Sequence, residues 1–128
     1  MWEIVARPWQ AAFEQGWEAF KNKCLPIGAV ITDENGNIIS SGRSHQFDNT
    51  ALNPNIAHAE SEALQKLDLS KYPNVVDYTL YACMEPCPMC MGTFVMSNLR
   101  KLKVAARDSY CGAVHYSKED PYMISQNL

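Results

Sequence analysis

Basic residues are in short supply. Lys and Arg number 11 against 14 Asp and Glu, a formal charge of −3. That balance argues against a dedicated nucleic-acid binder, which usually carries a basic face. The only basic clusters are short, at Lys21 to Lys23 and at Asn98-Leu99-Arg100-Lys101-Leu102-Lys103. No apolar run approaches the roughly 18 residues of a membrane span. Met1 to Gln10 carries Glu3 and Arg7 and has no apolar core, so it does not read as a secretory signal. Internal repeats and low-complexity segments are also missing. Cysteines number five, and an odd count excludes a fully paired disulfide set within one chain. Reduced cysteines in the cytoplasm are the expectation, and metal ligation is then favoured over crosslinking. At 128 residues and 47% hydrophobic, the chain suits one domain, residues 1–128, with its own core.

What is present is a regular alternation of helix and strand patterns. Trp9, Ala12, Phe13, Gly16, Trp17 and Phe20 fall at helical spacing and predict an amphipathic helix from Pro8 to Lys23, its aromatic rings in the core. Pro26 to Thr32 and Ile38 to Gly42 predict two strands, with Asn35-Gly36 as the hairpin signal between them. Arg43 to Ile56 is polar and predicts a long loop, a length that in a compact domain is usually functional. Ala57 to Leu67 predicts a helix, Tyr78 to Cys83 a strand, Cys87 to Asn98 a helix and Leu102 to Ala106 a strand. Strand, helix, strand, helix, strand argues for parallel pairing with crossovers. The sum is an α/β chain with a mixed sheet and helices on both faces. Tyr110 to Leu128 shows no clear period.

The chemistry-bearing residues sit at two of the predicted helix starts. Cys87 and Cys90 lie two residues apart in Glu85-Pro86-Cys87-Pro88-Met89-Cys90. Thiolates at this spacing can grip one metal ion from the first turn of a helix, where the dipole lowers their pKa. Upstream stands Ala57-His58-Ala59-Glu60. His58, Cys87 and Cys90 make three ligands, and a zinc ion held by three protein ligands keeps an open position for chemistry. Buried free thiols, a redox pair, a core histidine and a surface carboxylate are the plainer readings of these residues. They leave the paired prolines and the common helix-start placement unexplained. Glu62 reads as a solvated helix residue and Glu85 as a turn contact.

His-Ala-Glu followed by Pro-Cys-x-x-Cys resembles the zinc nucleoside and nucleobase deaminase superfamily, over roughly Trp9 to Asp108. Thr79-Leu80-Tyr81 leading into the cysteine motif is more similar to guanine and transfer-RNA adenosine deaminases than to cytidine deaminases. The resemblance implies a three-layer α/β/α sandwich of the cytidine deaminase type with a short C-terminal part. It implies Zn²⁺ as cofactor, on His58, Cys87 and Cys90. Glu60 is then a proton shuttle that helps water replace an exocyclic amine by oxygen, releasing ammonia. Zinc would lower the pKa of water from about 15.7 to about 7 for that attack. Pocket neighbours by resemblance are Ile27, Gly28 and Asp108, and the backbone amides of Ala59 and Cys87 are expected to donate toward the zinc-bound oxygen and substrate. Ser44 stands where purine-type relatives carry an asparagine that hydrogen-bonds the base, and His45 and Asn49 are alternatives for that contact. A small base or nucleoside is the favoured substrate, with transfer RNA as a second option, and a homodimer is expected. The alternatives are a cytidine or deoxycytidylate deaminase and a non-catalytic zinc-stabilised interaction domain.

Overall fold

The Asp33–Asn37 turn sets the sheet going. The Asp33 carboxylate accepts from the backbone amides of Asn35 and Asn37, both at 2.9 Å, and Gly36 takes the left-handed φ of +84°. In the computed structural model, which describes residues 1–128, this turn joins β1 (Gly28–Thr32) to β2 (Ile38–Arg43) as an antiparallel pair. β3 (Thr79–Met84) lies on the other side of β1, also antiparallel, and β4 (Lys101–Ala106) runs parallel to β3 at the edge. The order is β2-β1-β3-β4. The strand–helix–strand pattern therefore yields one parallel pair and no more. β2 and β3 do point the same way, but the hairpin strand β1 occupies the place between them.

β1 is buried at every position, as expected of a strand covered on both faces. Its alternating side chains divide the core. Val30 packs with Ala11 and Ala12 of α1 (Arg7–Lys21), while Ala29 and Ile31 join α2 (Ala59–Gln65) and α3 (Pro88–Met96) on the opposite face. The result is the expected three-layer sandwich. Met91, Phe94 and Val95 of α3 and Leu80 of β3 are about fully buried. Each contributes roughly 1.5–3 kcal/mol by leaving water.

α1 departs from expectation in the face it buries. Ala11, Ala12, Gly16 and Ala19 face inward, while Phe13, Trp17 and Phe20 remain 38%, 60% and 55% exposed. The cause is close approach. A Cβ on Gly28 would sit 2.1 Å from the Ala12 carbonyl oxygen and 2.6 Å from the Gly16 nitrogen. The helix backbone rests directly on β1, so the small residues form the seam and the rings flank it. Trp9 alone turns back, edge-on to Tyr81 of β3 at 5.1 Å.

The C-terminal residues are more ordered than their sequence suggests. Val114–Lys118 forms a 3₁₀ turn and Pro121–Ser125 a short helix, α4, whose N-cap Asp120 accepts from the Met123 amide at 3.0 Å. Met123 and Ala113 join the main core. No helix is long and apolar enough to cross a membrane.

Four chain segments meet at one end of the sheet. Because β1 opposes both neighbours, its start lies beside the ends of β2 and β3, and β4 ends beside β3. Two glycines test the packing. Gly28→Ala should destabilise the chain by about 1–3 kcal/mol or more through overpacking, read as a fall in thermal midpoint. Gly92→Ala, with nothing within 4 Å of the added Cβ in α3, should instead stabilise by up to about 1 kcal/mol.

Candidate metal centre and active site

Local backbone geometry turns the two motifs toward each other. His58 is the N-cap of α2, with extended φ and ψ of −91° and 154°, and Cys87 is the N-cap of α3, with Pro88 following in the first turn. Neither side chain caps its helix, so both are free to point across the gap between the helix ends. An ideal helix would turn residues 58 and 60 apart; His58 lies outside the helix, which removes the conflict.

The donor atoms converge. His58 Nδ1 lies 3.6 Å from Cys87 Sγ and 3.5 Å from Cys90 Sγ, and all three atoms fall within 4.8 Å of one another. Tetrahedral zinc with Zn–S of about 2.3 Å and Zn–N of about 2.0–2.1 Å separates sulfur from nitrogen by about 3.6 Å. The residues present therefore fit that ion. On the far side of the ring, His58 Nε2 lies 3.0 Å from the Asn55 carbonyl oxygen. A carbonyl only accepts, so Nε2 carries the proton and Nδ1 keeps its lone pair for a metal. Asn53 fixes that carbonyl by accepting from the Asn55 amide at 3.3 Å. Ser61 Oγ approaches Cys90 Sγ at 3.6 Å, a donor for a thiolate.

Charge completes the argument for a cation. Glu60 is 4% exposed, and burial pushes its carboxyl above the ordinary range. Burial first, and the Glu60 charge second, push the Cys90 thiol far up. Burial likewise raises Cys83. A divalent cation on His58, Cys87 and Cys90 offsets the cost of ionising Cys90 and Glu60, whereas Cys83, outside the cluster, stays a neutral thiol. Two thiolates, one Zn²⁺ and a neutral imidazole sum to zero charge.

Glu60 and His58 open onto a cavity of about 560 Å³, within the range of small-ligand sites. Ile27, Ser44, Ala59 and Asp108 line it as expected. Gly28 does not: it lies beneath α1, where its missing Cβ is a packing requirement. His45 and Asn49 do not reach the cavity either. The His45 ring sits between Asp48 and Glu62, with Nδ1 3.1 Å from Asp48 Oδ2. Nε2 is 2.5 Å from Glu62 Oε2 but out of line for a hydrogen bond. Glu62 is accordingly not a freely solvated residue; it also accepts from the Arg43 amide at 3.2 Å. Gln46, Tyr110 and Cys111 line the cavity without having been anticipated. Gln46 sits in a turn after β2, and no sequence period signals its position.

Cys24, Cys83 and Cys111 lie outside the three-donor cluster. Cys111 Sγ donates to Asp108 Oδ2 at 3.2 Å, which raises its pKa. Glu85 is the turn contact anticipated for it, and more. Its carboxylate accepts from the amides of Asp108 at 3.3 Å and Val114 at 3.2 Å, tying the cavity wall to the C-terminal segment. Glu85→Ala leaves those amides without partners and should destabilise the fold by about 1–3 kcal/mol. Arg107→Ala, which removes an exposed contact at 3.8 Å, should leave the denaturation midpoint unchanged.

Residues 6–106 match the family model described as the cytidine and deoxycytidylate deaminase zinc-binding region. The transfer-RNA-specific adenosine deaminase of Rickettsia felis is 36% identical over 108 residues, 82% of this chain and 72% of that one. Its counterpart from Rickettsia bellii is 38% identical over 106 residues, 80% of this chain and 70% of that one. Among solved structures, a guanine deaminase from Bacillus subtilis superposes with a TM-score of 0.62 at 31% identity, over 75% of this chain and 60% of that one. The fold also matches a guanine deaminase from Nitrosomonas europaea, with a TM-score of 0.71 at 20% identity, over 96% of this chain and 75% of that one. The sandwich, the motif pair and these likenesses agree: the chain belongs to the cytidine and deoxycytidylate deaminase family and is a zinc-dependent hydrolase that deaminates nucleobases or nucleosides.

Proposed function

We propose that the substrate is a purine-type nucleobase, an adenosine in a nucleoside or transfer RNA being the first reading. The observation that carries the catalytic assignment is the meeting of His58, Cys87 and Cys90 beside the buried Glu60, on the wall of a cavity large enough for a nucleoside. The relatives named as transfer-RNA-specific adenosine deaminases support adenosine. Guanine is the second reading, supported by the Bacillus subtilis guanine deaminase structure.

His58, Cys87 and Cys90 hold zinc in this scheme. The bound ion supplies a lowered pKa for water, from about 15.7 to about 7. Glu60 takes a proton from the attacking water and places it on the ring nitrogen beside the attacked carbon. A second proton transfer through Glu60 lets the amine leave as ammonia, so base plus water gives the oxo product plus ammonia. The Ala59 amide has no protein acceptor and fronts the cavity; it donates to substrate. Ile27 provides an apolar wall, Ser44 a hydroxyl and Asp108 a carboxylate at the rim.

A single domain, a homodimer and a cytoplasmic setting belong to the same proposal. Exposed Trp2, Trp17 and Phe20 support an apolar contact between copies, and five unpaired cysteines support a reducing compartment.

Glu60→Ala should retain about one zinc per chain and lose turnover by about 10²–10⁴-fold. Unchanged ammonia release in that variant contradicts the mechanism. Across adenine, guanine and cytosine compounds and an RNA hairpin, ammonia release should be largest for a purine; a cytosine preference overturns the substrate reading.

A further inference from the structure

The segment following β2 has two faces with separate tasks. β2 ends at Arg43, and the backbone beyond it is pinned on both sides: the Ser44 amide donates to the Ile27 carbonyl at 3.1 Å and the His45 amide to the Ala57 carbonyl at 3.0 Å before a turn begins at Gln46. Ser44 and Gln46 line the cavity, and Arg43 and His45 do not. Arg43 and His45 turn away from the cavity to a shared carboxylate, with Arg43 Nη1 2.9 Å and His45 Nδ1 3.1 Å from Asp48 Oδ2. The Thr50 hydroxyl donates to the other Asp48 oxygen at 2.6 Å. These bonds, led by that from Thr50, hold the Asp48 carboxyl below its usual range. Glu62 of α2 anchors the same face through the Arg43 amide.

Ser44 and Gln46 are thereby presented to the cavity. Ser44 is 2% exposed. Its hydroxyl donates to Gln46 Oε1 at 3.4 Å and accepts from the Gln46 amide at 3.5 Å. With the carboxamide oxygen engaged, Gln46 Nε2 has no acceptor in the protein, and its two hydrogens are available to a ligand. Among the cavity-lining side chains, Gln46 is the only carboxamide.

We propose that Gln46, oriented by Ser44, is a specificity-determining residue whose Nε2 donates to a ring-nitrogen acceptor of a purine. The proposal rests on the purine reading above. A site built around a donor discriminates against bases that present C–H or N–H at that place, because the donor is then left without a partner.

The test is calorimetric binding to the zinc-loaded Glu60→Ala protein, which binds without turning over. Adenine and guanine compounds are compared with their 7-deaza and 3-deaza analogues, in which one ring nitrogen becomes C–H. One of the two analogues should bind about 3- to 10-fold more weakly than its parent, the worth of one hydrogen bond. Adding Gln46→Leu should weaken the parent by the same factor and abolish the difference between parent and analogue. Gln46→Glu, of the same length but without the donor, should weaken the parent at least as much. Zinc content and thermal midpoint should not change, which separates recognition from a bracing role. Equal binding of both analogues, a parent–analogue difference that survives Gln46→Leu, or loss of zinc in that variant overturns the proposal. Turnover by the unmodified protein on any base tests the deaminase assignment separately.

Discussion

Two thiols and a carboxyl group share one largely buried corner of this molecule with an imidazole, and the three acids cannot all ionise there without a positive charge among them. Burial, joined at Cys90 by the nearby Glu60 charge, drives Cys90 and Glu60 toward their protonated forms, in which neither is a good ligand or base. A doubly charged cation reverses this preference. It turns a site that is costly to fold into one that is electrically neutral, apart from a carboxylate in reach of the reacting atoms. The helix ends add partial positive charge on the same side. Metal binding and the folding of this corner are thus coupled.

The sheet topology makes the corner accessible. Antiparallel β1 brings the end of β2 and the start of β1 to the same edge as the ends of β3 and β4. Ile27, Ser44, Glu85 and Asp108 all come from that edge, and α2 and α3 begin there. The result places metal donors, a buried acid and cavity walls on six different segments, none of which carries the site alone. Glu85 joins the last of these to the rest by holding two backbone amides of the C-terminal segment.

The metal donors were legible in the sequence because ligand chemistry constrains spacing strictly: Cys-x-x-Cys at a helix start and a histidine two residues before a glutamate are local patterns. The strands and helices were legible for the same reason, through their periods. Three features were not. The inward face of α1 was misread because hydrophobicity favours Trp17 and Phe20, whereas the close approach at Gly28 admits only alanine and glycine. Resemblance places Gly28 in the cavity, but a resemblance does not reveal which face of β1 a residue takes, and Gly28 faces α1. The clamp of Asp48, His45 and Glu62 leaves no local pattern because Glu62 lies 14 residues beyond Asp48, and only the folded loop brings it to His45.

The central claim is the composition of the metal shell, and X-ray absorption at the zinc edge measures it directly. The account predicts two sulfurs at about 2.3 Å and one imidazole nitrogen at about 2.0–2.1 Å, with a light oxygen atom completing four-coordination. A third or fourth sulfur, from Cys83 or Cys111, or a shell without imidazole, would contradict it.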